Sequence, residues 1–200
     1  MRIKKFFYTG VILVLLSALL SGCGSSVAPF RSKELKKEDG INMAVLPFDN
    51  LSKTQGAGKI MENYILVEFL KRSPLDIIEP GEVLSVLSQE RIRLATSVPR
   101  ETINKIGKRL DARLLMIGIV HEYEMQLASG PGGSGQVPVI AVSLRIVDAD
   151  TGNIVWAVSA PRRGTDNETV FGIGRIQSMD RLAQKTAEEI AQAFTDSMKK

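Results

Sequence analysis

The fold is decided by one alternating stretch of the sequence, Val137-Pro138-Val139-Ile140-Ala141-Val142-Ser143-Leu144-Arg145-Ile146-Val147-Asp148. Within it Val142, Leu144 and Ile146 share one face, as expected for a strand with one buried side. A turn-like run follows, and Ile154–Ala160 then alternates in the same way. Two alternating runs joined by a short turn predict an antiparallel pair of strands.

The residues before this stretch extend the pattern. Arg113–Leu127 begins with an apolar run and then alternates, which predicts a third strand. Between it and Val137 lies the glycine-rich run Ser129–Gly135, which predicts a flexible loop. The three predicted strands form an antiparallel meander.

The first half of the chain and its last segment predict helices around two further strands. Ile41–Phe48 is a short apolar run, read as a buried strand that ends in a turn at Asp49–Asn50. Leu75–Glu79 predicts a second short strand. Apolar residues at three- and four-residue steps predict four helices, which begin near Gly58, Glu82, Pro99 and Ser178 and of which the first two end near Arg72 and Arg93. The predicted fold class is α/β (α+β): a mixed sheet in the order β-α-β-α-α-β-β-β-α, with helices packed on the sheet and a C-terminal helix.

The amino terminus has the parts of a secretory signal. Three basic residues precede the apolar run Val11–Leu20, which is followed by Leu20-Ser21-Gly22-Cys23. The run is too short to span a membrane as a helix, since spanning takes about 18 to 20 apolar residues. One alternative is a conventional signal peptide cut elsewhere, with Cys23 a chance thiol. The arrangement resembles a bacterial lipobox, which makes residues 1–22 a lipoprotein signal peptide.

The lipobox resemblance implies a covalent lipid on Cys23, namely a diacylglyceryl group with an added palmitate or similar chain. A cysteine suits this role because its thiolate is a good nucleophile. Several acyl chains together hold a protein firmly on a bilayer. The next residue, Gly24, is not the Asp that favours the inner membrane in well-studied Gram-negative bacteria, so we expect a periplasm-facing protein on the outer membrane. No other cofactor is predicted.

Composition limits the remaining possibilities. Removing Arg2, Lys4 and Lys5 with the signal leaves 23 of the 26 basic residues against 22 acidic ones. The mature chain is therefore near neutral, which argues against a nucleic-acid partner. Cys23 is the only cysteine, so no disulfide forms within one chain. Residues 23–40 are polar and charged and predict a lipidated, weakly ordered tether, while residues 41–200 predict a single domain.

Two motifs resemble ligand sites without meeting their requirements. Gly56-Ala57-Gly58-Lys59 suggests a phosphate loop, but the earlier glycine and the hydroxyl after the lysine are missing. Asp148, Asp150 and Asn153 suggest a calcium loop, but the glycine comes one position early and the twelfth position is Ser159. A loop entering a helix and a tight hairpin turn explain these residues better. No metal site is predicted.

No residue set predicts a catalytic centre. His121, the only histidine, lies in an alternating segment beside Glu122 and Glu124. Two acids two residues apart on a strand share a face and could act together in acid–base chemistry. The sequence lacks the nucleophile elbow and the second histidine that would support a triad or a metal site. The glycine-rich run Phe171–Arg175 is either a segment that rearranges on assembly or a loop laid over the edge of the core.

Two segments carry a family resemblance. Ala44–Ser52, read as Ala-Val-Leu-Pro-Phe-Asp-Asn-Leu-Ser, resembles the opening strand of a group of bacterial envelope domains. Ile140–Asp148 followed by Thr151-Gly152-Asn153-Ile154 is similar to a strand, turn and strand of CsgG-like proteins. The group includes curli-secretion channels, lipoprotein activators of penicillin-binding proteins and the amino-terminal domain of TolB. The resemblance implies a tethered envelope domain that tends to assemble.

The resemblance does not carry over pore formation. CsgG uses two long membrane hairpins per subunit, and the corresponding segments here are Glu122–Val139 and Ala160–Gln177. A transmembrane strand needs about 9 to 11 residues with an apolar outer face. We expect neither segment to supply two such strands.

Three functional hypotheses follow. The first is a non-enzymatic outer-membrane lipoprotein that binds or scaffolds other envelope proteins in secretion, cell-wall synthesis or flagellar assembly. The second is a subunit of a CsgG-type oligomeric secretion channel, and hence a homo-oligomer. The third is a cell-wall hydrolase that uses His121 or the carboxylates of Glu122 and Glu124. For the first hypothesis the predicted contact loops contain Gly130, Pro131, Gly132, Gly133, Phe171, Gly172, Gly174 and Arg175.

Overall fold

The computed structural model describes residues 27–35, 40–92, 98–130 and 133–199. Seven strands form a single sheet: β1 (Phe30–Arg31), β2 (Asn42–Val45), β3 (Asp49–Asn50), β4 (Asp76–Ile77), β5 (Leu114–Gly130), β6 (Gly133–Asp148) and β7 (Ile154–Arg163). The strands lie in the order β1-β7-β6-β5-β2-β4, and β3 also pairs with β5. β2 pairs in parallel with β4 and β5, whereas β5, β6 and β7 are antiparallel. The predicted mixed sheet and its meander are confirmed.

Four helices pack on the sheet: α1 (Ala57–Arg72), α2 (Pro80–Gln89), α3 (Arg100–Leu110) and α4 (Met179–Lys199). The first face of the sheet is covered by α1 and α4, where Trp156, Phe69 and Phe194 form the aromatic centre of the core. The Phe194 ring centroid lies 5.2 Å from that of Phe69 and 5.4 Å from that of Trp156. Each contact of this kind stabilises the fold by about 0.5–1.5 kcal/mol beyond the stabilisation from burying the rings.

The second face of the sheet is covered by α2 and α3 near β2 and β5 only. Ile106 of α3 packs there with Leu115 and Ile117 of β5, all almost fully buried. The hydrophobic clusters on the two faces of the sheet use alternate residues of β5, because successive side chains of a strand point to opposite faces. No helix of the described residues is long and apolar enough to cross a membrane.

The predicted turn at Asp49–Asn50 is wrong, since these residues form β3. Asp49 pairs with Ile119 and Asn50 with Val120, in parallel with β5. From Met43 onward the chain pairs with β5. This pairing is interrupted at Pro47, which has no N–H to donate. β3 resumes the pairing with β5. A strand of two residues is too short to show an alternating pattern, so the sequence did not predict it.

The expectation of a weakly ordered tether does not hold for residues 27–35. β1 adds an edge strand beside β7, with Phe30 opposite Ala157. Leu35 is buried in the main core, and the Arg31 guanidinium donates to its carbonyl at 2.9 Å. Signal peptide 1–22, the lipobox residues and Cys23 lie outside the described residues, as do residues 36–39.

The helix boundaries agree with the sequence except at α2. This helix begins at Pro80 rather than Glu82, because proline is favoured in the first turn and the Glu79 carboxylate caps the N–H of Glu82 at 3.0 Å. It ends at Gln89, before Arg91 takes a left-handed conformation with φ of 57°. The predicted start of the last helix is confirmed, with the Arg181 N–H 3.4 Å from Ser178 Oγ.

Candidate interaction surface

The hairpin of β5 and β6 runs further than the sequence predicts. Pairing continues through Ser129 opposite Ser134 to Gly130 opposite Gly133. The predicted flexible loop at Ser129–Gly135 is therefore wrong for its described residues, which belong to the strands. Pro131 and Gly132 lie outside the described residues. We call the paired end from Met125 to Pro138 the hairpin tip.

An ion pair with buried side chains lies against the glycine-rich tip. The segment after β7 returns across the second face of the tip and brings Glu168 and Arg175 onto it. Arg175 Nη1 lies 3.5 Å from Glu168 Oε1, and their side chains are 6% and 3% exposed. A Cβ on Gly130 would lie 3.0 Å from the Glu168 carboxylate, and one on Gly135 would lie 3.7 Å from Arg175 Nη2. The contact at Gly130 is tighter than an ordinary van der Waals contact, so Gly130 allows the Glu168 carboxylate to approach the strand, whereas the contact at Gly135 is an ordinary one.

Backbone bonds hold this returning segment, which we call the tip strap (Gly164–Ile176). Gly164 donates to the Pro138 carbonyl at 2.9 Å and accepts from Ile176 at 2.7 Å. Arg175 Nη1 donates to the Gly133 carbonyl at 2.8 Å. The structure thus brings the two predicted contact segments together at one end of the sheet.

The middle of the tip strap presents two apolar side chains to solvent. A short 3₁₀ turn spans Val170–Gly172, and Phe171 within it has φ of 61°. Phe171 is 87% exposed and Ile173 68% exposed. The turn is fixed by the Thr169 N–H, which donates to the Ile173 carbonyl at 2.7 Å. Gly172 and Gly174 both have positive φ, which glycine adopts without strain.

The first face of the tip is also apolar and open. Met125 and Leu127 continue the face of buried Tyr123 beyond the helices that cover it. They are 41% and 83% exposed.

Burial raises the pKa of Tyr123 to about 12, with a smaller contribution from the Asp180 carboxylate. Burial, and then Asp180, raise the pKa of Tyr64 in the same way. Both phenols stay neutral at physiological pH and close the core just behind the tip.

Part of the second face of the sheet remains uncovered, and it holds the only histidine. His121 Nε2 lies 3.0 Å from Ser143 Oγ, which lies 3.4 Å from Ser159 Oγ. This row crosses β5, β6 and β7 beside the half-buried Ala157 and the exposed Pro161. We call this region the open face. No carboxylate of the described residues is hydrogen-bonded to His121, so the row lacks the acid of a triad.

The other candidate ligands have structural partners. The Glu124 carboxylate accepts from Gln126 at 2.8 Å, and Lys59 pairs with Glu62 at 2.7 Å. A Cβ on Gly58 would lie 2.5 Å from the Phe48 carbonyl, so Gly58 lets the start of α1 pack against the residue before β3. Within the described ranges, no group of three or more His, Cys, Asp or Glu side chains is arranged to hold a metal ion.

The turn after β6 is held by one carboxylate. Asp148 accepts from the N–H and hydroxyl of Thr151 at 2.9 and 3.0 Å and from Arg113 Nε at 2.7 Å. Burial acts to raise the pKa of this carboxyl, but the Arg113 and Thr151 hydrogen bonds outweigh it and leave the pKa below its ordinary value. This geometry agrees with the interpretation of Asp148, Asp150 and Asn153 as a tight hairpin turn.

A family model for the curli production assembly/transport component CsgG matches residues 61–199. The chain belongs to the CsgG family. The matched residues of the CsgG domain contain α2, α3, α4, the β5–β7 meander and the tip strap. No curated protein matches the chain in sequence.

Solved structures share the fold of this CsgG domain. A PelC dodecamer from Paraburkholderia phytofirmans is 18% identical and has a TM-score of 0.55, with 84% of this chain and 98% of that chain covered. Lipoprotein GNA1162 from Neisseria meningitidis is 18% identical with a TM-score of 0.53, covering 76% and 99% of the two chains. A hypothetical protein from Chlamydia trachomatis is 11% identical with a TM-score of 0.53, covering 80% and 98%.

The sequence did not predict the Glu168–Arg175 pair. The two residues are seven positions apart in a segment without regular periodicity, and their glycine partners lie more than thirty residues earlier. One signal was available: several glycines in one strand pattern mark either a flexible loop or a close approach of another group. In the CsgG domain, Gly130 serves the second purpose, since the Glu168 carboxylate lies against it.

Proposed function

We propose that the protein is a non-enzymatic envelope lipoprotein, anchored to the outer membrane through Cys23, whose CsgG domain binds or scaffolds other envelope proteins. The match to a family of assembly and transport components is the observation that carries this proposal. It is supported by the contacts of the ionisable groups near the sheet, since Asp148 and Glu168 are engaged by Arg113 and Arg175 and Glu124 accepts from Gln126.

We take the open face as the surface on which a protein partner binds. On the second face of the sheet, α2 and α3 cover β2 and the start of β5 and the strap covers the tip, whereas Ser159 and Pro161 stay exposed and Ser143 is half-buried. A sheet face of small and hydroxyl side chains is flat enough to accept a helix or a second sheet. The charged groups of the open face are the half-buried Arg145 and the exposed Glu122, which lies opposite Ala141 on the side of Pro161.

Site-specific photo-crosslinking in cells tests this proposal. A photoreactive residue replaces Ser159 on the open face. Lys105 on α3 serves as the control position, since it is exposed and pairs with Glu90. We expect crosslinks from position 159 to another envelope protein and none from position 105. A crosslinking pattern that is the same at both positions argues against the open face as the binding surface.

The same experiment addresses a second function, a subunit of an oligomeric secretion channel. This alternative is favoured by the description of the matched family and by PelC, whose solved form is a dodecamer. A ladder of crosslinked copies of this chain from position 159, together with conductance across a planar bilayer, supports the channel. A partner of different mass and no conductance support the scaffold.

A further inference from the structure

Helix α1 is apolar on two of its sides. On the side towards the sheet it buries Met61, Ile65 and Phe69 in the main core. A second apolar stripe recurs on its outer side at steps of four, three and three residues, and consists of Ile60, Tyr64, Val67 and Leu70. The first two are half-buried, while Val67 and Leu70 are 46% and 59% exposed. A surface helix needs only one apolar stripe to pack on its own core, so the outer stripe of α1 is available for another contact.

The outer stripe lies beside α4. Tyr64 of α1 is next to Asp180 of α4. Eight residues further along each helix, Arg72 Nη2 lies 2.7 Å from Glu188 Oε1. The two helices therefore run side by side in the same direction. Buried aromatic rings close the side of this pair that faces the sheet, so the groove between the helices opens on the side away from it.

The groove has a volume of about 490 Å³. Its apolar lining consists of Ile60, Tyr64 and Val67. Glu68 and Lys71 also line it and pair with each other, with Lys71 Nζ 2.9 Å from Glu68 Oε1. The groove thus has an apolar floor, and the two charges at its end offset each other.

The α4 wall of the groove is acidic. Asp180, Gln184 and Glu188 follow one another at intervals of four residues, so they share one side of α4. All three are exposed. The cations of the same turns, Arg181 and Lys185, come one position later and lie about 100° further round the helix. A partner in the groove therefore meets carboxylates along the α4 side.

We propose that this groove binds an amphipathic helix of a partner protein, with aliphatic side chains on the apolar floor and basic side chains along the flank that lies over α4. Helices bind in apolar grooves through anchors at positions i, i+4 and i+7, which is the spacing of Ile60, Tyr64 and Val67 themselves. Opposite charges across the rim favour the right partner and speed its association. The groove lies on the helices that cover the first face of the sheet, whereas the open face belongs to the second. The two surfaces can hold different partners at the same time, as a scaffold requires.

Binding of synthetic helices to the full mature chain tests the groove. The chain carries Cys23→Ala, so that no lipid or micelle competes for the peptide. One fluorescein-labelled helical peptide has leucines in its apolar stripe and lysines along one flank, and a second has glutamates in place of the lysines. Fluorescence anisotropy measures their affinities. Val67→Asp alters the floor of the groove, and Leu84→Asp is the matched control, because Leu84 is 50% exposed but lies on α2.

We expect the lysine peptide to bind more tightly than the glutamate peptide. Val67→Asp should weaken its binding by about tenfold or more, as the loss of a central anchor does, while Leu84→Asp leaves it unchanged. Asp180→Lys, an exposed substitution that keeps the apolar floor, should abolish the preference for lysine. Binding that is equally strong with Val67→Asp, or that does not distinguish the two peptides, overturns the proposal. So does a dimer of the chain that sedimentation detects and Val67→Asp dissociates, because a second copy then fills the groove.

Discussion

Arg175 and Glu168 form a nearly fully buried ion pair on the second face of the hairpin tip, with Nη1 and Oε1 3.5 Å apart. Arg175 also donates to the Gly133 carbonyl, so one guanidinium joins the strap to the hairpin. Its Nε is buried and has no hydrogen-bond partner among the residues that the structure describes. A buried charge with incomplete hydrogen bonding is strongly destabilising once its counter-charge is lost. The position of the strap therefore depends on this pair.

Glu168→Gln is expected to lower the free energy of unfolding by about 3 kcal/mol, because it leaves the Arg175 charge buried and unpaired. Local detachment of the strap limits this loss of stability, because the Arg175 guanidinium is hydrated again when Gly164–Ile176 leaves the sheet. Urea denaturation measures the global change. Limited proteolysis measures the release, which we expect as new cleavage between Gly164 and Ile176.

The double variant Glu168→Leu with Arg175→Met is the matched control. It removes both charges and keeps apolar bulk at the site, and replacement of a buried pair in this way is often neutral. We expect it to restore much of the stability lost in Glu168→Gln. A double variant as protease-sensitive as the single variant means that the pair does not hold the strap.

The tip also marks the limit of what the sequence could predict. Alternation along β6 identified its buried face, because Val142, Leu144 and Ile146 are packed in the main core. The glycines of the tip have no side chains and hence no alternation. Their partners Glu168 and Arg175 are distant in sequence, so nothing local distinguished a packed strand from a flexible loop.

Short pairings were missed for a related reason. β1 and β3 have two residues each, and both exist only because a longer strand lies beside them. Residues 27–35 are tied to the sheet by Phe30 and by buried Leu35, whereas their polar composition suggested a tether. Tertiary contacts outweighed the local signal in these segments.

Gly118→Ala is expected to destabilise the domain by about 1–3 kcal/mol, as overpacking of a core does. A Cβ at Gly118 would lie 2.6 Å from three atoms of the Phe48 ring. This contact holds Pro47–Phe48, the segment between β2 and β3 at which the pairing with β5 is interrupted. Thermal unfolding followed by circular dichroism measures the effect.

Phe48→Leu in the Gly118→Ala background supplies the control for that prediction. A smaller side chain at position 48 leaves room for the added methyl group, so the double variant should lose less than the two single variants together. Strictly additive losses would contradict a direct clash between the ring and the new methyl group.

Stability should depend on pH through Asp148, whose folded-state pKa is held below its ordinary value of 3.8. A depressed pKa means that the ionised carboxylate stabilises the fold above the unfolded-state value, and that this contribution is lost as pH falls through the folded-state value. Asp148→Asn should therefore cost about 2 kcal/mol at pH 7, the size of a charge-assisted hydrogen bond. Its difference from the wild type should shrink below about pH 4.

Urea denaturation at pH 7 and pH 3 measures this dependence, with Asp150→Asn as the control. The Asp150 carboxylate is 67% exposed and 3.6 Å from Arg113, so its loss should change stability by less than about 0.5 kcal/mol at either pH. If the Asp148→Asn difference is the same at both pH values, the carboxylate charge is not what holds the turn.

The proposed lipid on Cys23 would determine where the domain acts. Cys23→Ala, expressed behind a signal peptide that is cut by the general signal peptidase, should move the protein from the membrane to the soluble periplasmic fraction and abolish labelling with palmitate. Several acyl chains together anchor a protein stably on a bilayer, whereas a few exposed apolar side chains give only weak, reversible binding. Ser25→Ala with the native signal is the control, since it leaves the lipobox intact and should stay labelled and membrane-bound. Membrane association of Cys23→Ala that survives a carbonate wash contradicts the anchor, and it would mean that the domain holds the envelope through protein contacts instead.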